Sequence, residues 1–270
     1  MARGGKAVLK QSMARLRSIR PSQIRRDAQR PFHLVLIANG LADREALRRV
    51  FLPEQLSPED HRLALAHLAD GHAVAGQPLQ VCTPAAADAC YVVIDPSHPA
   101  PGFVALLRAY PEYGLALGRS FPPLREPLAQ ELIRAVAARN AAVAAVSALP
   151  EVIPTPLSIL LALGEMGSDT VLITANQMLL AFELAALCGA EVGWRAQSRS
   201  LAAVAAGGLG WRTLAREIVG LIPAGVGLAA KAGIAYSGTV AVGAALWRTA
   251  QPRRAQSPVD AFLATRRQTA

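Results

Sequence analysis

Thirty consecutive positions, Ile218 to Trp247, carry a single charged residue, Lys231. A chain with such a stretch has to remove it from water, either inside a compact particle or against lipid. The segment 223–247 is long enough for a bilayer core, which asks for roughly 20 apolar residues, or ~30 Å of helical rise. Two features count against a simple span. Lys231 falls well inside it, and its apolar residues are largely Gly and Ala, which are less lipophilic than Leu. The fine texture points to close packing. Gly225, Ala229, Gly233, Ser237, Ala241 and Ala245 are all small and spaced by four. Such a row lets a second helix approach backbone to backbone, and its drift of ~40° per step suits a wrapped partner. An Ala-rich soluble bundle produces the same row from composition alone. Glu183 is the lone acid of another apolar segment, so Glu183 and Lys231 are candidates for a buried charge pair.

The wider composition agrees. Of the 270 residues, 52% are hydrophobic, 17% charged and only 5% aromatic, so the apolar content is chiefly Ala, Leu and Val. Helices that pack through small side chains, or that meet lipid, have this make-up. The net charge of +9 is confined to the ends. Residues 1–30 hold nine Lys or Arg against Asp27, and residues 248–270 hold five Arg against Asp260, whereas 31–247 is slightly acidic. A nucleic-acid-binding domain would carry its charge on the folded body, so nucleic acid is not an expected partner. Basic ends beside an apolar domain fit anionic lipid headgroups. Two solvated tails account for the same charges. Cys82, Cys90 and Cys188 show no CxxC spacing. They read as buried thiols in a reducing compartment. The N-terminus lacks the apolar core and cleavage site of a secretory signal.

Along the chain, 1–20 reads as a thin basic amphipathic helix stopped by Pro21, with a second short basic helix over 22–29. His33-Leu34-Val35-Leu36-Ile37-Ala38 is a continuous apolar run, as in a strand buried on both faces. Asn39-Gly40 turns the chain into a helix over Asp43–Phe51, and 58–69 forms another. Gln80-Val81-Cys82 and Ala89–Ile94 are further strands, and 102–109 a helix. Strands alternating with helices imply a small parallel sheet. From Pro122 the strand signals stop. Helices are expected over 124–148, 157–166, 170–188 (ended by Gly189), 196–206, 211–222 and 224–249.

No reaction centre emerges. A phosphate-binding loop needs G-x-x-x-x-G-K-S/T between strand and helix, so that backbone N–H groups, the Lys and the hydroxyl surround phosphate and magnesium. The aligned stretch places Ala38 and Asp43 at the glycine positions, Gly40 between them, Arg44 for Lys and Glu45 for the hydroxyl residue. The acid would repel a nucleotide. Val92-Val93-Ile94-Asp95 looks like a strand ending in a magnesium-organising acid, but Pro96-Ser97 follows. His61, His67 and His72 do not share a helix face, and neither they nor His33 and His98 have metal-ligand spacing. Ser120 and Ser147 lack a nucleophile-elbow context. No metal or cofactor is expected. Trp194, Trp211 and Trp247 each precede an Arg, as at a membrane interface or a helix end.

The run Leu209-Gly210-Trp211-Arg212-Thr213-Leu214-Ala215-Arg216-Glu217, then Ile218 to Pro223, Gly225, Lys231 and Ala235-Tyr236-Ser237-Gly238-Thr239, resembles the YcjF-type helical domain of unknown function, often found after an Era-like GTPase domain. The resemblance covers roughly 124–249. It implies a bacterial protein, a helical fold and membrane association, with no known activity. It also makes Pro31 to Arg49 look like the start of a reduced GTPase-like region without its loop. The expected fold is α+β: a basic tail (1–30), a small parallel α/β region (31–120), a helical bundle (121–250) and a basic tail (251–270). The expected role is non-enzymatic, at the cytoplasmic side of the bacterial inner membrane. Its partners would be anionic lipid and a protein partner or second copy. A degenerate nucleotide-binding switch and a soluble oligomerising bundle are the alternatives.

Overall fold

The computed structural model describes residues 19–71, 79–152, 168–202, 204 and 227–251. The fold is α+β, a small parallel sheet joined to a helical bundle. Helix α1 (Pro21–Ala28) opens with Pro in its first turn, where a missing N–H costs nothing. It buries Ile24 and Ala28, so 21–28 belongs to the folded body and not to a tail. Strand β1 (Leu34–Ile37) is buried at every position. Helices α2 (Leu41–Phe51) and α3 (Pro58–His67) follow, the latter capped by Ser57, whose hydroxyl accepts the Asp60 N–H at 3.1 Å.

The expected helix over 58–69 stops two residues early. Leu68 turns extended, and β2 (Leu68–Asp70) pairs in parallel with β1, Leu34 opposite Leu68 and Leu36 opposite Asp70. Strands β3 (Gln80–Cys82) and β4 (Val92–Val93) complete the parallel order β2-β1-β3-β4. Helix α4 (Pro99–Ala109) and the short α5 (Gly114–Ser120) lead to three long helices: α6 (Arg125–Val152), α7 (Ser168–Leu187) and α8 (Gly227–Ala250). Helix α7 ends where Gly189 takes φ +74°, a conformation that favours glycine, and the Gly189 and Ala190 N–H groups return to Ala186 and Ala185. The expected helices over 157–166 and 211–222, the segment 209–223 that carries much of the family resemblance, and the basic stretches 1–18 and 252–270 lie outside the described residues.

Alternation along the strands divides the sheet into unequal faces. Leu34, Leu36, Val81, Val92 and Ile94 enter the main core, where they join Leu47 and Phe51 of α2, Phe103 and Leu106 of α4, and Leu128, Ile133, Leu180, Leu184 and Leu246 of the bundle. The opposite face offers Val35, Ile37 and Cys82. Ala69 of β2 and Val93 of β4 share that face, and among the described residues its cover is Ala86 and Cys90. The main core therefore crosses the expected boundary at residue 120 without a break. There the elements change type while the interior continues.

Side chains at the junction show why. Phe121, fully buried, meets Phe51 edge-on at 5.2 Å and Phe32 at 6.0 Å. Beside it, Arg125 at the start of α6 donates to the Asp60 carboxylate in α3 and to the carbonyls of Gly118 and Arg119, at 3.3 and 3.1 Å. One guanidinium thus fastens three elements, and its side chain is only 12% exposed.

Gly102 and Gly233 provide opposite tests. A Cβ at Gly102 would lie 2.9 Å from Ile94 Cα and 3.0 Å from the Val93 oxygen, backbone atoms that cannot swing aside, whereas a Cβ at Gly233 meets nothing within 4 Å. Gly102→Ala is expected to lower stability by ~1–3 kcal/mol by forcing α4 off β4. Gly233→Ala should raise it by ~0.5–1 kcal/mol through helix propensity. Urea unfolding midpoints decide both, and a stabilised Gly102→Ala protein would refute the close packing of α4 on β4.

Candidate functional site

In an open parallel sheet, ligands sit outside the carboxyl ends of the strands where the strand order reverses, here between β1 and β3. Only Ala38, Asn39 and Gly40 separate β1 from α2, with Gly40 as the helix cap. The helix starts at Leu41, two residues before the expected Asp43, so Asp43, Arg44 and Glu45 lie within its first turns. Between strand and helix there is no length for a loop that wraps phosphates. The Asn39 side-chain amide donates to the Ala85 carbonyl across the edge. Arg48 reaches Asp70 at 3.3 Å. Thr83 Oγ1 and Arg44 Nε are buried without hydrogen-bond partners.

The acid after β4 is committed to its own turn. Asp95 Oδ1 accepts the Ser97 N–H at 2.9 Å, and His98 lies 3.6 Å from Oδ2. The Ser97 backbone hydrogen bond holds the Asp95 carboxyl below its ordinary value, aided by the Ser97 hydroxyl and His98. His67 is stacked on Phe32, centroids 4.4 Å apart, with Nδ1 2.9 Å from the Phe32 carbonyl. Among the described residues no group of three His, Cys, Asp or Glu is placed to hold a metal.

Two of the three cysteines depart from the reading as separate buried thiols. Cys82, the last residue of β3, and Cys90, two residues before β4, form a disulfide with Cα atoms 6.1 Å apart. It closes the connection 83–91, which holds a short 3₁₀ turn over Pro84–Ala89. Parallel neighbours usually need a crossover of a dozen residues or more, so this connection is short. Spacing in the sequence gave no signal for the bond. Only the parallel pairing of β3 with β4 brings the two residues together.

Inside the bundle, hydrogen bonds fix the helix register. Asn140 Nδ2 in α6 donates to Thr239 Oγ1 in α8 at 3.0 Å, and Asn176 Nδ2 in α7 donates to Asn140 Oδ1 at 2.7 Å. Thr239 in turn donates to the Ala235 carbonyl. Gly243 packs on Ile133, while Leu187 and Leu128 meet around Gly118, so α7 and α8 both run antiparallel to α6. Asn176 and Thr239 are therefore level. Glu183 lies seven residues beyond that level and Lys231 eight residues before it, which separates them by ~20 Å along the axis. The expected Glu183–Lys231 pair is corrected by this register. The charges that act on Glu183 are Arg139 and Asp27, and burial, the largest influence, pushes its carboxyl up to about 7.

The row of small residues takes an unexpected side. Ala229, Gly233, Ser237, Ala241 and Ala245 are all exposed; Gly225 lies outside the described residues. Within the chain, α8 packs through the other face, with Gly238, Thr239, Gly243 and Leu246 buried. The close approach expected of the row is made by Gly243, where a Cβ would come within 2.8 Å of Ile133. Tyr236 and Val146 are also exposed, at 39% and 67%. Of the Trp–Arg pairs, Trp194 is half-exposed with its ring edge-on to Phe182, Trp247 packs on the core, and Trp211 lies outside the described residues. Among the described residues, no helix is long and apolar enough to cross a membrane.

No family model, curated protein or solved structure matches the chain.

The raised Glu183 carboxyl has a sign that can be measured. Its folded value exceeds its ordinary 4.5, so the native state holds a proton that the unfolded chain has released. That stabilisation is present below about pH 4.5 and is lost as pH rises through about 7. Glu183→Gln should be more stable than the parent by ~1–3 kcal/mol near pH 8 and nearly equal to it near pH 4.5. Urea unfolding at the two pH values tests this, and a pH-independent difference would remove Glu183 as the titrating group.

Proposed function

We propose that the chain is a non-enzymatic, membrane-associated protein whose bundle docks peripherally on anionic lipid while its α/β region engages a protein partner. The observation that carries this is the outward face of α8. Ala229, Gly233, Ser237, Ala241 and Ala245 leave it almost without charge or bulk, and Tyr236 and Val146 add exposed apolar surface. A helix whose only task was to pack on α6 and α7 would ordinarily carry charged residues on its solvent side. The basic ends supply the second element, since each Lys or Arg close to an anionic surface contributes ~1 kcal/mol. The sequence resemblance to the YcjF-type domain supports the same reading, with docking on the cytoplasmic side of a bacterial inner membrane as part of the proposal. A second copy of the chain is the competing occupant of the α8 face.

Peripheral docking has a defined experimental signature. The full chain should float with vesicles containing phosphatidylglycerol and not with phosphatidylcholine alone, and binding should weaken steeply as salt rises. In cells it should pellet with membranes and leave them in a carbonate wash. Ala241→Glu should reduce flotation several-fold without changing the unfolding midpoint by more than ~0.5 kcal/mol equivalent. A protein that stays in the supernatant before any wash, and ignores anionic vesicles, sinks the membrane reading. Sedimentation of that same protein as a dimer would favour the second copy.

A further inference from the structure

The sheet's thinner face is closed by a device that the membrane reading does not use. Val35, Ile37 and Cys82 point away from the main core. Among the described residues their cover comes from Ala86 in the 3₁₀ turn and from Cys90. That turn is held at three places. The Thr83 N–H bonds the Ile37 carbonyl at 3.2 Å, the Asn39 amide reaches the Ala85 carbonyl, and the Cys82–Cys90 disulfide ties one end of the connection to the other.

We propose that Cys82 and Cys90 form a reversible thiol–disulfide switch that fastens the 83–91 connection over the second face of the sheet, and that a dithiol reductant releases it. The two sulfurs are unequal in a way that suits exchange. Cys82 is fully buried, whereas Cys90 is partly exposed beside the exposed Ala87, Asp88, Ala89 and Tyr91. An incoming thiolate attacks Cys90 Sγ, the S–S bond breaks, and Cys82 leaves as a thiolate that takes up a proton. The reductant's second thiol then attacks its own sulfur in the mixed disulfide and frees Cys90 as a thiol. The protein gains two electrons and two protons, and the dithiol becomes a cyclic disulfide.

The reduced state is also provided for. The Val92 carbonyl lies 3.2 Å from Cys90 Sγ and 3.7 Å from Cys82 Sγ, so an acceptor stands beside each sulfur when it becomes S–H. The third cysteine does not compete. Burial pushes the Cys188 thiol up to about 11, which leaves almost no thiolate near neutral pH. One step rests on the location proposed above: on the cytoplasmic side of a membrane a purely structural disulfide does not persist, so a bonded pair there is one that cycles.

The full chain, oxidised and then equilibrated with reduced and oxidised dithiothreitol in varied ratio, provides the test. Acid quenching, alkylation and mass analysis read the Cys82–Cys90 pair, and hydrogen exchange reads the backbone. The pair should titrate as a single two-electron couple in the folded protein. On reduction, amide protection over 85–90 should fall at least tenfold, while α6 and α7 stay unchanged. Cys90→Ser should show the open pattern in both buffers. The proposal is overturned if the bond never forms in oxidised dithiothreitol, if it yields only when the chain is unfolded, or if protection ignores the redox state. These outcomes leave flotation on anionic vesicles untouched, and loss of flotation leaves the redox titration untouched, so the two proposals fail separately.

Discussion

Phe121 sits where the chain leaves the sheet region and enters the bundle, and its fully buried ring is held by rings of the sheet region. Phe51 reaches it from α2, Phe32 from the residue pair before β1, and Phe103 of α4 closes on Phe51 at 5.9 Å. Fully buried aromatic rings in mutual edge-on contact contribute packing beyond their area, at ~0.5–1.5 kcal/mol per pair. The Arg125–Asp60 ion pair lies beside them and is largely withdrawn from water. Removing Asp60 would strand a guanidinium that still has two carbonyl acceptors but no counter-charge, the kind of loss that costs several times a surface salt bridge. The sheet is too small to stand without this joint. Four strands of two to four residues bury one face only because the bundle supplies the opposing surface.

That dependence explains which parts of the fold were legible. Strand β1 announced itself because a strand buried on both faces needs an unbroken apolar run, and His33 to Ala38 has no competing periodicity. The long Ala-rich helices were equally visible, since nothing in them but helix-period packing is available to alanine. Strand β2 was hidden because Leu65, Leu68 and Ala69 continue a helical pattern from α3, and three residues on a sheet edge carry too little signal to override it. The α2 boundary moved from Asp43 to Leu41 because Gly40, extended at φ −142° and ψ 162°, caps the helix directly after the turn. That small shift bears on the chemistry, since it takes Leu41 and Ala42 into the helix and leaves only Ala38, Asn39 and Gly40 between strand and helix.

The candidate sites share one limit: the sequence shows which residues are unusual but not what lies level with them. Glu183 and Lys231 were the odd charges of two apolar helices, yet their pairing required a register that only Asn140, Asn176 and Thr239 define. This polar layer fixes the alignment of the three helices. A displaced helix would leave a buried amide or hydroxyl unsatisfied, so the three side chains select one alignment of α6, α7 and α8. The disulfide was invisible for the same reason, because Cys82 and Cys90 meet through strand pairing.

The outward row on α8 has a further physical consequence. Small side chains expose little apolar area, and at ~25 cal/mol per Å² five of them cannot hold a protein on a bilayer by transfer energy alone. Their advantage is that they let the helix axis come close to a flat surface. Any affinity on the scale of several kcal/mol must then come from the basic ends, where residues 1–20 carry six Lys or Arg and residues 248–270 five Arg. The proposed docking is thus electrostatic in strength and steric in fit, and such contact can be reversed by salt or by a charged group placed on the row. An inserted Leu-rich helix would have neither property, which is why the absence of a membrane-crossing helix among the described residues fits a surface-bound protein as readily as a lipid-free one.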